Sequence, residues 1–252
     1  MNILAIDTSG SACCVALADD SGQVLVDFNL QLGRTHSQQL QPLIEAALKQ
    51  AGWPATALQA VAVGIGPGSY TGIRIGAATA QGMAVALDIP VLPVSSLAAL
   101  AAAQAGETCR LICPITDARH RRVYGALWWQ DRPVVTDFLG DLQLLSEKIR
   151  NWLSLQSKDR AALAQRRPDE ILLLGSGAAA YASDTALKQD LLSLGLKPQF
   201  RTEQTVVRAA DLAAEAFRQL RQEGPGCLID PAVLRPHYLS RTSAERQAGL
   251  YV

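Results

Sequence analysis

The chain's most suggestive spacing of chemistry-capable residues lies in Gly64–Gly76 (GIGPGSYTGIRIG). It follows a short apolar strand pattern, Val61–Val63, and leads into an Ala/Gly-rich helix pattern. Gly64, Gly66 and Gly68 around Pro67 make a sharply turned loop whose backbone can approach a partner closely. A strand, a glycine loop and a helix in that order commonly hold phosphate at the helix N-terminus. The two commonest versions are absent: Gly68 is not followed by a Gly-Lys-Ser/Thr ending, and no Gly-x-Gly-x-x-Gly occurs. In the helix, Gly72, Gly76, Ala80 and Ala84 stack one turn apart. Such a stripe suits close approach of a second chain's helix, and equally suits tight packing within one subunit.

Other candidates for chemistry are sparse. Ser69 has no sequence sign of an activating base, so with Thr71 it is expected to cap the helix that follows. His36, His120 and His237 are scattered, each without a second metal ligand nearby in sequence, so no metal site is expected. The five cysteines include no Cys-x-x-Cys pair, and buried reduced thiols account for them; adjacent Cys13 and Cys14 should face opposite sides of a strand. Arg119, His120, Arg121 and Arg122 form one basic cluster and Arg235, His237, Arg241 and Arg246 another; each suits either nucleic-acid phosphates or plain solvation. Trp128 and Trp129 alternate along a strand, so at most one should face a partner.

These residues need elements to position them. The chain has 252 residues, 49% apolar, with a formal net charge of zero, which supplies a sizeable core and no dominant polyanion-binding field. No apolar run is long enough to span a bilayer and the N-terminus lacks a signal-peptide pattern, so a cytoplasmic protein without membrane partners is expected. Ile3–Ile6, Ala12–Ala18 and Val24–Leu32 read as three meandering strands. A helix follows with Leu40, Leu43, Ile44, Ala47, Leu48 and Ala51 on one face, begun by Thr35 or Ser37, and Pro42 fits its first turn only if it begins late. Strand, glycine loop, helix, the strand Ile89–Val94 and a helix ending near Gly106 complete a first block. The second block has strands at Leu111–Thr116, Val123–Trp129 and Val134–Phe138, a helix over Leu142–Leu155, a strand Ile171–Leu174 entering Gly175-Ser176-Gly177, a helix within Leu187–Leu194 and a clear amphipathic helix over Val207–Glu223. This predicts an α/β chain of the actin-like ATPase (ribonuclease-H-like) fold, with two related half-domains at 1–106 and 107–252, the second trimmed.

Five segments in matching order, Asp7-Thr8-Ser9, Arg34-Thr35-His36-Ser37, Gly66–Arg74 (GPGSYTGIR), Asp117-Ala118-Arg119 and Pro236-x-Tyr238-Leu239, resemble the bacterial TsaB (YeaZ) family. The resemblance covers nearly the whole chain, and the glycine run is its most specific part. One departure is Ser240, where the family commonly has arginine. The resemblance implies a non-catalytic subunit for making N6-threonylcarbamoyladenosine in tRNA, at the adenosine after the anticodon. The implied partners are the catalytic paralogue TsaD and the ATPase TsaE, with a homodimer when the chain is alone and tRNA met through the complex.

TsaD carries two histidines one turn apart that hold a metal, and Ser96 and Leu100 occupy those positions here. ATP or ADP and metal are therefore expected on the partner subunits and none in this chain. Docking is expected through His36, Leu40, Leu43, Ile44, Ala47, Ile73, Gly76, Ala77, Ala80, Met83 and Ala84, unless these residues face their own sheet. A vestigial nucleotide site is expected at Asp7, Thr8, Ser9, Gly66, Gly68, Gly175 and Gly177, with Asp7 either orienting a metal-bound water or satisfying its own turn. The alternatives are a stand-alone actin-like ATPase or small-molecule kinase and, further off, a metallopeptidase.

Overall fold

The computed structural model describes residues 1–31, 36–106, 109–158 and 167–239. The chain forms two compact units, Met1–Ala99 with Val207–Val252, and Leu100–Val206.

In the first unit, β1 (Ile3–Asp7), β2 (Cys13–Ala18), β3 (Val24–Leu30), β4 (Ala60–Gly64) and β5 (Val91–Val94) form a sheet of order β3-β2-β1-β4-β5. The β1–β2 and β2–β3 pairs are antiparallel, and the β1–β4 and β4–β5 pairs parallel. β1, β2 and β4 are buried along their whole length, as continuous apolar runs covered on both faces must be. On one face, Leu4, Ile6, Cys13, Val15, Val61 and Val63 pack against α1 (His36–Ala51) and α2 (Tyr70–Leu87). On the other, α7 (Ala209–Glu223) lies on β1 and β2. Cys14 points to that second side, its thiol donating to the Val207 carbonyl at 3.1 Å, so Cys13 and Cys14 do face opposite ways.

The first boundary, expected near residue 106, falls between Ala99 and Leu100, and α7, expected in the second half-domain, belongs instead with the first sheet. The first two N–H groups of α7 lack intrahelical partners, and β3 supplies acceptors. Ala209 N donates to Asn29 Oδ1 at 3.0 Å and Ala210 N to Asp27 Oδ1 at 3.2 Å, while Arg208 pairs with Asp27 Oδ2 at 2.9 Å. Pro42 also sits deeper than its expected first turn, inside α1, where it is exposed. Its ring meets solvent, and burial of Leu40, Leu43, Ile44 and Ala47 carries the helix past the lost backbone hydrogen bond.

The second unit repeats the topology. Strands β6 (Arg110–Asp117), β7 (Arg122–Trp129), β8 (Arg132–Asp141), β9 (Glu170–Leu174) and β10 (Lys197–Arg201) have the order β10-β9-β6-β7-β8. Here β6–β7 and β7–β8 are antiparallel, and β6–β9 and β9–β10 parallel. Each sheet is thus three meandering strands extended from the first strand by two parallel ones, the duplicated arrangement of the actin-like fold. Leu111, Cys113 and Ile115 pack with Leu145, Ile149 and Trp152 of α4 (Leu142–Lys158), Ala178 of α5 (Ser176–Tyr181) and Leu187 and Leu191 of α6 (Thr185–Ser193). Strand β10 was not expected, because Lys197-Pro198-Gln199 lacks an apolar alternation, yet it pairs with β9 from Lys197 to Arg201. Helix α3 (Ser96–Ala102) ends earlier than Gly106.

Candidate functional site

The Asp7-Thr8-Ser9 turn leaves the C-terminal end of β1 and is roofed by the glycine loop and the start of α2. Asp7 Oδ1 accepts from Ser9 N at 2.8 Å and Ser9 Oγ at 2.7 Å, and Oδ2 accepts from Ser96 Oγ at 2.7 Å. The carboxylate is only 1% exposed. Burial pushes its pKa up, against the lowering influence of the Ser96 and Ser9 hydrogen bonds and of His36. Thr8 Oγ1 donates to the Gly72 carbonyl at 2.7 Å, and Ser69 N donates to the Ser9 carbonyl at 2.7 Å.

Glycines make this roof fit. A Cβ on Gly64 would stand 1.9 Å from Asp7 Oδ2, on Gly68 2.4 Å from Ser9 O, on Gly72 2.0 Å from Thr8 O, and on Gly76 2.6 Å from Thr8 Oγ1. Every fourth residue from Gly64 to Gly76 therefore lies against the turn. Gly66, with a φ of +98°, belongs to the same construction: its carbonyl accepts from Ser96 N at 2.8 Å, and its bond to Pro67 is cis.

The structure thus brings together Asp7, Thr8, Ser9, Gly66 and Gly68 of the predicted nucleotide site and adds Ser96, which sequence reasoning had placed only as an absent metal ligand. Both carboxylate oxygens are engaged by hydroxyl and amide donors, an arrangement that satisfies the turn and leaves Asp7 closed to solvent. Gly175 and Gly177 lie in the second unit. There a Cβ would stand 2.4 Å and 3.0 Å respectively from the Ile115 carbonyl, so both serve the close packing of α5 on β6.

Ser69 caps α2, its Oγ accepting from Gly72 N at 3.2 Å, whereas Thr71 is an exposed residue of the first turn and not a cap. Ser69→Ala should cost about 1 kcal/mol. A urea-unfolding midpoint unmoved by the substitution would show that this cap contributes nothing.

The C-terminal segment closes on the same loop. His237 N donates to the Ile65 carbonyl at 2.9 Å, Leu234 is buried, and the Tyr238 and Tyr70 ring centroids are 4.9 Å apart. The guanidinium of Arg74 lies 5.3 Å from the Tyr70 ring centroid. No local signal links residue 70 to residue 238, so this pairing was illegible in the sequence.

The predicted docking stripes face inward. Leu40, Leu43, Ile44, Ala47, Ile73, Ala77, Ala80 and Ala84 are at most 8% exposed, Gly76 is buried, and Met83 packs against the same core. Their apolar periodicity is that of residues covering their own sheet, and of these side chains Met83 alone is half-buried rather than buried. His36 is half-buried, its Nε2 3.2 Å from the Gly10 carbonyl, while Arg34 and Thr35 lie outside the described residues. What α2 presents outward is Arg74, Ala78, Gly82, Val85 and Ala86, with Val85 68% exposed. Both tryptophans at 128 and 129 are 7% exposed, so each packs within the chain. Cys13, Cys14 and Cys113 are buried as expected, but Cys109 is exposed and Cys227 half-buried. Among the described residues no helix is long and apolar enough to cross a membrane, and no group of three His, Cys, Asp or Glu side chains could hold a metal ion.

Comparison with known proteins places this architecture. A family model described as "TsaD: tRNA N6-adenosine threonylcarbamoyltransferase" matches residues 31–219. The chain is 34% identical over 197 residues to the tRNA threonylcarbamoyladenosine biosynthesis protein TsaB of Haemophilus influenzae, covering 73% of this chain and 76% of that protein. The chain belongs to the TsaB (YeaZ) family. TsaB of Bacillus subtilis is 36% identical over 164 residues, covering 65% of this chain and 69% of that protein. YeaZ from Pseudomonas aeruginosa superposes with a TM-score of 0.70 at 26% identity, over 94% of this chain and 99% of that one. The buried Asp-Thr-Ser turn and its glycine roof are thus part of a TsaB-type actin-like scaffold.

Proposed function

We propose that this chain is the non-catalytic subunit of the machinery that forms N6-threonylcarbamoyladenosine in tRNA, at the adenosine after the anticodon, where it docks and supports the catalytic TsaD paralogue. The observation that carries the reading is Ser96, which stands where the resemblance places a metal-holding histidine of TsaD. Here it donates to the buried Asp7 carboxylate instead. A position that would face a catalytic metal has become a structural tie. ATP or ADP and metal then belong to the partner chains, TsaD and the ATPase TsaE.

The inward stripes move docking to the outer flank of α1 and α2, where exposed small and aliphatic residues such as Ala78, Gly82 and Val85 allow close helix approach. The same flank suits self-association when the chain is alone, in a cytoplasmic setting.

The test combines the purified chain with TsaD, TsaE, ATP, a threonylcarbamoyl donor and unmodified tRNA. Modification should require both this chain and TsaD, and transfer by this chain alone would overturn the reading. Val85→Arg should weaken association with TsaD by about tenfold or more, because a charge is then desolvated in the contact. Undiminished association would remove the outer flank of α2 from the interface. Calorimetric binding of ATP to the isolated chain, lost in Asp7→Ala, would favour the stand-alone ATPase instead.

A further inference from the structure

The turn joining β6 to β7 is built unlike any other in the described chain. Arg119, His120 and Arg121 have φ values of 62°, 53° and 57°, so three consecutive residues with side chains occupy the left-handed region. Each is disfavoured there relative to glycine, and such outliers persist only where the surroundings hold them. The supports are visible. Ala118 N donates to the Arg122 carbonyl at 2.9 Å and Arg122 N to the Arg119 carbonyl at 3.0 Å. Asp117 Oδ1 accepts from Arg119 N at 3.0 Å and from the Tyr181 hydroxyl at 2.9 Å, Ser176 Oγ accepts from Asp117 N at 3.0 Å, and Arg121 pairs with Asp184 at 2.6 Å.

The result is a braced tip with Arg119, His120 and Arg121 all exposed. The two acidic groups beside it are already engaged, Asp117 by Tyr181 and the turn backbone, Asp184 by Arg121. Among the described residues neither the Arg119 nor the His120 side chain forms an ion pair, although Arg119 N donates to Asp117.

The duplicated topology sharpens the contrast. This turn stands in the second sheet where Asp7-Thr8-Ser9 stands in the first: Asp7 ends β1 and Asp117 ends β6, and each accepts the N–H of the residue two further on. In the first unit glycines seal the turn. In the second it is open and cationic.

We propose that the Arg119–Arg122 turn is a contact for backbone phosphates of an RNA, the tRNA of the proposed function, on which the choice of ligand rests. With a formal net charge of zero, the chain has no global field to attract a polyanion, so local sites such as this one must supply the attraction. A braced backbone loses little freedom when its guanidinium engages phosphate, which makes the strained geometry useful rather than incidental.

The experiment measures fluorescence anisotropy of labelled unmodified tRNA with the full chain bound to TsaD, across a salt series and in excess ADP. Arg119→Glu should lower tRNA affinity about tenfold and flatten the log–log salt dependence by about one, with ADP failing to displace tRNA. Arg119→Gly with His120→Gly should raise thermal stability, by relieving the left-handed strain, while lowering tRNA affinity. Opposite signs in those two readouts are not what a purely structural turn would give. Affinity within twofold of wild type in both variants would overturn the proposal, as would displacement of tRNA by ADP. Modification of tRNA by the wild-type mixture, scored separately, shows whether the proposed function stands when the phosphate contact fails.

Discussion

Gly72→Ala is expected to destabilise the protein by about 3 kcal/mol or more, and Gly82→Ala, ten residues along the same helix, to stabilise it by about 0.5–1 kcal/mol. Both substitutions replace the least favourable ordinary helix residue by the most favourable one, so helix propensity alone predicts two gains. The surroundings separate them. At Gly72 the new methyl would stand 2.0 Å from the Thr8 carbonyl oxygen, which is backbone and cannot swing aside, whereas at Gly82 nothing lies within 4 Å. Relief at Gly72 requires α2 to lift from the β1–β2 turn, which would also break the Thr8 Oγ1 bond to the Gly72 carbonyl. Urea-unfolding midpoints of the two variants check the pair. Equal shifts for both would mean that the glycine stripe is a matter of propensity and not of contact.

Asp211→Asn is expected to change stability little near pH 4 and to add about 1–2 kcal/mol by pH 8. Asp211 sits in the first turn of α7, and burial pushes its carboxyl up to about 6, with Arg208 drawing it down and Asp27 raising it further. Its Oδ2 is buried without a hydrogen-bond partner among the described residues. The folded pKa lies above the ordinary aspartate range, so folding favours the protonated acid. The stabilising contribution of that protonation is complete below the unfolded pKa and is lost as pH rises through about 6. Asparagine does not ionise, so the advantage of the variant should grow across the same window. Partial screening of the side chain by solvent keeps the change below the full linkage value. The difference between variant and wild type, measured by thermal or urea unfolding from pH 4 to 8, checks it. A difference independent of pH would show that Asp211 does not titrate in that range.

Much of the fold was legible because it rests on local periodicity. The apolar runs of β1, β2 and β4 lack alternation, as strands buried on both faces do, and the meander followed by alternating helices and strands gave the actin-like class for each half. Strand β10 escaped because Phe200 is its one large apolar residue, so no alternation shows, and its existence depends on pairing with β9. The docking stripes were legible as apolar faces, and in this chain those faces cover their own sheet. A 3.6-residue period shows that a helix has an apolar side, but not whether its own sheet or another chain covers it.

The candidate site divides the same way. Asp7, Thr8, Ser9 and the glycines were singled out by residue type and spacing alone, and so was the basic cluster at Arg119–Arg122. Their meaning came from contacts between residues remote in sequence: Ser96 on Asp7 across 89 positions, and Gly72 on Thr8 across 64. Helix α7, too, belongs to the first sheet only because Asn29 and Asp27 receive its opening N–H groups.

By itself, then, the sequence determined which segments become strands and helices, where the backbone must turn sharply, and which family the motifs resemble, since backbone sterics and side-chain hydrophobicity act over a few residues. Tertiary structure alone decided that the glycine loop roofs a sealed Asp-Thr-Ser turn, that the small-residue stripe faces inward, and that the equivalent turn of the second sheet stays open and positively charged. Those outcomes depend on which surfaces meet when the sheets are covered, and burial of one face over another is settled only among residues the chain brings together from a distance.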